Sequence, residues 1–339
     1  MVVKSVVMII AYININNTLN KVELEPGNTI PVGCVWLDLL EPTIEEEKFI
    51  EKSLNIDAPT REEMNKFEVM SPFYKEGDAY YMTVTALHKA ESEYPDATAI
   101  TFIITPNYLV TLRYHRPRPF NNFAARAMRQ PEICSSPEIV LEGLIDSLID
   151  RIADALEKSG NELDSILKSI FEKKVVKGNN QIKDNSKFYY NNVIKKVGRT
   201  GNVISKNRES LLSINRMLIF YSQIDTLKNP SRKETRAKFK TITREVISLT
   251  EYANFLSQRI SFLLDATLGM LSVEQNSIIK VFTVAAAVFM PPTLIASIYG
   301  MNFHNMPELD WTYGYPIAIL FIIISAIAPY YYFKKKGWL

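Results

Sequence analysis

The sequence has 339 residues, 47% of them apolar, and its 39 Lys and Arg nearly balance 37 Asp and Glu to leave a net charge of +2. A charge this small argues against a nucleic-acid partner bound by phosphate neutralisation. The two cysteines, Cys34 and Cys134, form no Cys-x-x-Cys pair and have no histidine beside them. This usage argues against a structural zinc site and is typical of a reducing compartment.

Signals of enzymatic activity are missing from the sequence. The phosphate-binding loop Gly-x-x-x-x-Gly-Lys-Ser/Thr, which an ATP-driven pump requires, does not occur. The three histidines, His88, His115 and His304, lie far apart, and no recognisable catalytic motif accompanies them. We therefore expect that the protein is not an enzyme.

Residues 1–130 predict an α/β domain. Four runs rich in β-branched and aromatic residues predict strands. These runs are residues 35–39, 79–87, 98–105 and 108–114. Pro106-Asn107 separates the last two and is a hairpin signal. Thr43 followed by Glu46 forms a capping box and predicts the start of a helix.

Residues 131–230 predict a helical region. Ser136 is a favoured N-cap residue and Pro137 a favoured first helical residue. Apolar residues then recur at helical spacing, at Leu141, Leu144, Ile145, Leu148, Ile152 and Leu156. Lys-Gly-Asn-Asn at 177–180 interrupts the helical pattern, and a further helix is predicted over residues 186–227.

Residues 231–275 predict a long stalk helix. Apolar or small residues recur at alternating steps of four and three, the spacing of a coiled-coil seam. The seam consists of Ile242, Val246, Leu249, Ala253, Leu256, Ile260, Leu263, Thr267 and Met270. Gly269 is the one glycine in this stretch. One helix that continues into the next segment, and two helices broken at Gly269, remain alternatives.

Two uncharged segments predict membrane-crossing helices. Residues 281–303 and 311–333 each contain 23 residues without a formal charge. A helix of that length spans roughly 34 Å, against a hydrocarbon core of about 30 Å. The loop between them has no Lys or Arg, whereas Lys334, Lys335 and Lys336 follow the second segment, so the positive-inside rule predicts that both chain ends are cytoplasmic.

The membrane part is therefore divided into four segments. These are transmembrane helix 1 (276–303), an external loop (304–310), transmembrane helix 2 (311–333) and a basic cytoplasmic tail (334–339). The second helix is almost wholly apolar, as expected for a lipid-facing partner. Two helices cannot enclose a pore, so a pore would need several copies of the first helix around an axis.

One face of transmembrane helix 1 gathers most of its polar groups. Steps of three and four place seven residues on this face. They are Asn276, Ile279, Thr283, Ala286, Met290, Thr293 and Ser297. Small and hydroxylated residues also pack helices together in membranes. Periodicity alone therefore leaves pore lining and helix packing open.

The C-terminal motifs resemble a known family. Tyr-Gly-Met-Asn-Phe at 299–303, Met-Pro-Glu-Leu at 306–309, Trp311, Gly-Tyr-Pro at 314–316 and Lys-Lys-Lys-Gly-Trp-Leu at 334–339 are similar to the CorA family of magnesium channels. The resemblance implies an α+β protein with an N-terminal cytoplasmic α/β domain and a stalk helix continuous with the first of two transmembrane helices. It also implies a funnel-shaped homopentamer in the cell membrane.

At the outer mouth the resemblance implies a selectivity filter of Gly300, Met301 and Asn302. Mg²⁺ gives up its inner waters reluctantly, so the Asn302 amide oxygen should bind the water shell of the hydrated ion. Gly300 tolerates positive φ and could turn a backbone carbonyl toward the axis. Glu308, with Asp310, should raise the local cation concentration; a solvated loop is the alternative.

At the inner mouth, Asp265 lies about three helical turns before Asn276 and faces the same way. The two residues resemble the acidic and amide rings of the family and are further candidate contacts to hydrated Mg²⁺. Ile279 and Met290 on the same face, with Phe282 beside it, are candidates for an apolar constriction that closes by dewetting.

The regulatory sites of the family, in which magnesium bridges neighbouring cytoplasmic domains, transfer poorly to this sequence. Residues 240–242 and 87–90 contain no acid where one is expected. The nearby candidates for a regulatory metal site are Glu91, Glu93, Asp96 and Glu245. A solvated surface is the alternative for all four.

The sequence therefore predicts a channel that conducts Mg²⁺ into the cytoplasm, with Co²⁺ and Ni²⁺ as further candidate ions and no organic cofactor. A divalent cation gains about 4.6 kcal/mol across 100 mV, so ATP is not needed. The expected partners are the lipid bilayer, divalent cations and other copies of the chain. A zinc transporter of the same superfamily and a non-conducting, membrane-anchored sensor or scaffold are the alternatives.

Overall fold

The structure, a computed structural model, describes residues 9–64, 72–88, 96–171, 186–224, 233–301, 306–307 and 311–338. The chain divides into two compact units. The first contains Met1–Asn179 and Asn192–Leu263, and the second contains Asn180–Asn191 and Leu264–Leu339. The predicted domain boundaries are a division by sequence pattern and stay a prediction.

The first unit contains a seven-stranded mixed sheet. The strands are β1 (Ile9–Ile15), β2 (Thr18–Leu24), β3 (Cys34–Leu40), β4 (Phe73–Glu76), β5 (Ala79–His88), β6 (Asp96–Ile104) and β7 (Leu109–Arg113). Their order across the sheet is β2-β1-β3-β7-β6-β5-β4. β3 and β7 pair in parallel, and every other pair of neighbours is antiparallel.

The four predicted strands are confirmed as β3, β5, β6 and β7. In the predicted turn between the last two, the Thr105 N–H donates to the Tyr108 carbonyl at 2.9 Å. The sequence analysis missed the β1–β2 hairpin. Asn16 and Asn17 form its turn with φ of 52° and 61°, and asparagine is one of the residues that such a turn favours.

Helices cover both faces of the sheet. Helix α1 (Ile44–Leu54) begins at Thr43 with the predicted capping box, in which the Thr43 N–H donates to Glu46 at 2.8 Å. Its Ile50 packs into the core on one face. On the other face, Trp36 lies against helix α2 (Arg118–Arg129), 5.7 Å from the ring of Phe123. The sheet is thus buried on both sides, which explains why β3 is buried throughout.

Four further helices follow a short 3₁₀ turn (Pro131–Cys134). They are α3 (Pro137–Phe171), α4 (Ser186–Ser222), α5 (Lys233–Tyr299) and α6 (Gly314–Lys335). Helix α3 begins at the predicted proline. The predicted interruption at 177–180 lies outside the described residues. Helix α4 ends before the predicted residue 227, because Gln223 and Ile224 bond to carbonyls three residues back and tighten the turn.

In the first unit, α5 packs against other helices of the same chain. Lys238 on α5 lies 3.5 Å from Glu142 on α3, and the rings of Tyr221 on α4 and Phe239 on α5 are 4.7 Å apart. The predicted seam is the packed stripe. Its members Ile242, Val246, Ala253, Leu256, Leu263 and Thr267 are buried. The regular repeat was thus correctly assigned to a packing surface.

Both cysteines are buried and carry free thiols. Cys34 lies on β3, and Cys134 closes the 3₁₀ turn. Burial raises the pKa of each thiol to about 12. The two side chains are therefore neutral core residues.

The second unit contains the membrane-length segments. Two helices, Thr235–Tyr299 and Gly314–Lys335, contain stretches long and apolar enough to cross a membrane, by length and composition alone. Few of the apolar side chains in these stretches are buried. Trp311 and Tyr313 lie just before α6, with ring centroids 6.3 Å apart. Aromatic residues are enriched at membrane–water interfaces, and the end of a membrane-length segment is such a position.

Candidate ion-conducting face

Helix α5 joins the stalk to the first membrane segment without a break. It runs from Lys233 to Tyr299 over 67 residues and passes through Gly269 and the Pro291-Pro292 pair. The alternative of two helices broken at Gly269 is therefore wrong. A packed helix tolerates one interior glycine, which costs about 1 kcal/mol. An unbroken helix sets the direction of each side chain relative to its neighbours in sequence.

The two sides of α5 in the membrane segment differ in burial. Val284 is 4% exposed, and its side of the helix also contains the half-buried Ala287, Val288, Pro291, Pro292 and Ile295. All seven residues of the predicted polar face are exposed. Met290, at 69% exposed, is typical. Contacts within one chain therefore leave the polar face exposed.

Two threonines show how this face can meet water. The Thr283 hydroxyl donates to the Ile279 carbonyl at 2.8 Å, and the Thr293 hydroxyl donates to the Phe289 carbonyl at 2.7 Å. Each hydroxyl proton is thus used inside the helix. The oxygen lone pairs stay available as acceptors. Acceptors are what the water shell of a cation requires, because metal-bound waters present their protons outward.

The N-terminal end of the face contains the two residues that are predicted to form rings at the inner mouth. Asp265 and Asn276 lie on the same uninterrupted helix, and both are exposed. Phe282, beside the face, is 72% exposed. The structure thus places the predicted inner-mouth and constriction residues along one exposed side of α5.

At the C-terminal end of the face, the structure shows the backbone conformation of Gly300. Gly300 does not adopt the left-handed conformation. Its N–H donates to the Ala296 carbonyl at 3.0 Å, and a Cβ at this position would lie 3.1 Å from the same oxygen. The glycine therefore allows a close backbone approach as the helix ends.

The remaining filter positions are only partly described. Met301 is 44% exposed directly after the helix. Asn302, Glu308 and Asp310 lie outside the described residues. Their assignments stay predictions.

The sequence analysis missed a contact between the ends of the two membrane segments. Lys280, the last charge before the first uncharged segment, lies 5.8 Å from the ring centroid of Trp338. Trp338 follows the second uncharged segment, so the contact brings the two charged ends together. The signal was present in the Lys-Gly-Trp sequence at 336–338, because glycine after a helix followed by an apolar residue is typical of a folded-back C-terminus.

The four regulatory candidates do not form a described cluster. Glu91 and Glu93 lie outside the described residues. Asp96 lines a small cavity with Arg61 and His115. Among the described side chains, no group of three or more His, Cys, Asp or Glu is arranged to hold a metal ion.

Glu245 lies instead beside two aspartates of α3. Burial is the main cause of its raised pKa, followed by the charges of Asp146 and Asp150. The sequence analysis did not name Asp146 and Asp150 as the acidic neighbours of Glu245. Asp146 and Asp150 are four residues apart on a helix, and this spacing predicts that both side chains lie on the same face.

The described part of the chain thus combines a sheet domain, a helical region and one helix that contains the first of two membrane-length segments. Comparison with known proteins gives the family. The model of the family described as "CorA-like Mg2+ transporter protein" matches residues 32–335. The chain belongs to this family of Mg²⁺ transporters.

Individual relatives agree with this assignment. The chain is 31% identical over 324 residues to the magnesium transport protein CorA of Escherichia coli strain K12, covering 96% of this chain and 98% of that protein. It is 30% identical over 323 residues to the protein of the same name from Salmonella typhimurium strain LT2, covering 95% and 97%. The solved CorA magnesium transporter of Methanocaldococcus jannaschii has the same fold, with a TM-score of 0.74, 17% identity and full coverage of both chains.

Proposed function

We propose that the protein is a homopentameric channel that conducts hydrated Mg²⁺ into the cytoplasm down its electrochemical gradient. Family membership supports Mg²⁺ as the transported ion. The exposed polar face of α5, opposite a buried face, is the observation that carries the channel mechanism. A face left open within one chain is available to line an axis shared by several copies.

The proposed filter selects the hydrated ion with neutral oxygens. Asn302 supplies an amide oxygen, and the helix end at Gly300 leaves carbonyls without a helical partner. Such groups accept hydrogen bonds from metal-bound water and do not strip the shell. Glu308 attracts cations to this mouth without ligating them. Co²⁺ and Ni²⁺ also carry water shells and are expected to compete.

Below the filter, the proposed path alternates between polar and apolar rings. Thr283 and Thr293 offer hydroxyl oxygens to the water shell. Met290 and Ile279, with Phe282, form the apolar constriction that excludes water in the closed state. Asp265 and Asn276 form the inner acidic and amide rings.

The direction of transport follows from charge. The basic tail after residue 333 favours a cytoplasmic C-terminus, and the even number of spans places the N-terminal domain on the same side. A membrane potential of 100 mV, negative inside, supplies about 4.6 kcal/mol for a divalent cation. The regulatory role of Glu91, Glu93, Asp96 and Glu245 stays a prediction within this proposal.

The first prediction tests the filter. In vesicles that contain the full-length protein and a magnesium-sensitive dye, Asn302→Ala should reduce Mg²⁺ uptake at least tenfold, because the ring loses its amide oxygens. Asn305→Ala is the matched control and should keep the uptake of the unmodified protein. Equal uptake by both variants, in correctly assembled oligomers, contradicts the filter assignment.

The same vesicles separate the alternatives. A non-conducting scaffold gives no uptake with the unmodified protein at any potential. A zinc transporter gives Zn²⁺ uptake that excess Mg²⁺ fails to inhibit. The proposal requires Mg²⁺ uptake that grows with an inside-negative potential.

A further inference from the structure

The chain end folds back in a fixed geometry after α6. The Trp338 N–H donates to the Phe333 carbonyl at 3.1 Å, and the Gly337 N–H donates to the Lys334 carbonyl at 3.2 Å. Gly337 has φ +69°. These two bonds with a left-handed glycine form a Schellman motif. The rings of Phe333 and Trp338, 5.2 Å apart, supply its usual apolar contact. Trp338 is therefore held in place by backbone bonds as well as by packing.

Two ammonium groups approach the ring of Trp338. Lys280 Nζ lies 5.8 Å and Lys336 Nζ lies 5.9 Å from the ring centroid. Lys336 Nζ also lies 5.3 Å from the ring of Tyr332. The aromatic faces attract each cation, but they do not neutralise it. The fold thus brings two like charges from different helices to one ring.

These charges have no carboxylate counterion in the described part of the chain. None of Lys280, Lys334, Lys335 and Lys336 has a described carboxylate oxygen within 4.0 Å. The two positive charges at the ring of Trp338 repel one another. An external anion between Lys280 and Lys336 would relieve this repulsion.

The position of the cluster indicates which anion is available. Lys280 directly precedes one uncharged segment, and Lys334 directly follows the other. Both therefore lie at the depth where a bilayer places its phosphate groups. Tyr330, Tyr331 and Tyr332, which are 44%, 69% and 57% exposed, lie in the last turns of α6. Exposed tyrosines at this depth suit the boundary between headgroups and acyl chains.

We propose that Lys280, Lys336 and Trp338 form a binding site for the phosphate group of an anionic phospholipid. The two ammonium groups bind the phosphate oxygens, and the ring of Trp338 keeps the ammonium groups apart and in place. The tyrosines contact the start of the acyl chains, which a free phosphate ion lacks. The inference rests on both helices crossing the membrane and does not require ion conduction.

Native mass spectrometry of the full-length protein in mild detergent, titrated with phosphatidylglycerol, tests the site. Lys280→Gln and Lys336→Gln should each weaken lipid binding about fivefold, as expected for one lysine near an anionic surface. Lys280→Arg and Lys336→Arg should retain binding. Lys335→Gln is the matched control, with the same charge change in the same tail, and should weaken binding less than twofold.

Three outcomes overturn the proposal. Equal weakening by Lys335→Gln shows diffuse attraction to the tail. Equal binding of phosphatidylcholine shows that the anionic charge is not recognised. Displacement of phosphatidylglycerol by millimolar inorganic phosphate shows a site for the free ion. Mg²⁺ uptake by the unmodified protein is a separate readout, so absence of uptake with intact phosphatidylglycerol binding contradicts only the proposed function.

Discussion

A buried ion pair at the centre of the sheet joins β3 to β7. Arg113 donates from Nε and Nη2 to the two carboxylate oxygens of Asp38, at 2.9 and 2.7 Å. Thr111 donates to the same carboxylate at 2.8 Å and accepts from the indole N–H of Trp36 at 3.0 Å. Because the four side chains share their hydrogen bonds across the parallel pair, they favour one register of β3 against β7.

The second prediction concerns this pair. Arg113→Met leaves the Asp38 carboxylate buried without its cation and should lower the free energy of unfolding by about 3–5 kcal/mol. Guanidinium unfolding followed by tryptophan fluorescence measures the change. Lys206→Met, which breaks the exposed pair with Glu209 at 3.1 Å, is the control and should cost at most about 1 kcal/mol. A small effect at Arg113 would show that the pair is not a major source of stability.

The third prediction uses the acidic side chains near Glu245. Burial, followed by the charge of Asp146, raises the pKa of Asp150, although Arg126 acts in the opposite direction. A carboxyl group with a higher pKa in the folded state than in the unfolded state stabilises the fold at a pH below the unfolded-state pKa. This stabilisation is lost as the pH rises through the folded-state pKa. Asp150→Asn should therefore raise the melting temperature at pH 7.

The gain in melting temperature from Asp150→Asn should shrink as the pH falls toward 4, because the Asp150 carboxyl then becomes protonated in both the folded and the unfolded protein. Asp164→Asn is the comparison, because it removes an ion pair with Arg259 and should not raise the melting temperature. A gain that is independent of pH would contradict the electrostatic cause.

At the scale of elements, the signals that succeeded were local. The capping box at Thr43, the Ser136-Pro137 start and the repeat from Ile242 onward depend on neighbours in sequence, and the structure contains each of them. The order of the seven strands depends on contacts between distant residues, such as Trp36 with Thr111, which no local pattern reveals. The β1–β2 turn was missed because Asn16-Asn17 lacks the glycine that usually marks it.

In the candidate site, too, local signals predicted the structure and contacts between distant residues could not be predicted. Helical spacing alone predicted that seven residues share one face of α5, because an unbroken helix fixes the direction of each side chain. The backbone conformation of Gly300 could not be predicted from the sequence, because positive φ and close backbone approach both select glycine. The contact of Lys280 with Trp338 joins distant residues and required the fold.

Two glycines in helices give the fourth prediction. A Cβ on Gly143 in α3 would lie 2.2 Å from a ring carbon of Phe123, whereas a Cβ on Gly198 in α4 would meet nothing within 4 Å. Gly143→Ala should destabilise the protein by about 1–3 kcal/mol through overpacking. Gly198→Ala should stabilise it by about 0.5–1 kcal/mol through helix propensity. Chemical unfolding of both variants measures the contrast, and the same sign at both sites would contradict the packing of α2 on α3.

For the whole molecule, the central expectation is a closed pore lined by copies of α5. The fifth prediction is that Met290→Ser raises Mg²⁺ leak at high internal magnesium, because a smaller polar ring lowers the barrier to wetting. Ile324→Ser on α6, at a 51% exposed position, is the control and should not change the leak. Unchanged leak at Met290, or loss of the oligomer, would assign Met290 to packing and move the constriction to Ile279 and Phe282.

The two buried thiols make the natural chain suited to chemical labelling. Cys34 and Cys134 are its only cysteines, and a thiol with a pKa near 12 carries almost no reactive thiolate at neutral pH. Maleimide reagents should therefore leave the folded protein unmodified. A cysteine introduced at any position from Asn276 to Asn302 would be the one reactive group per chain, so water access along α5 can be mapped without first removing the native cysteines.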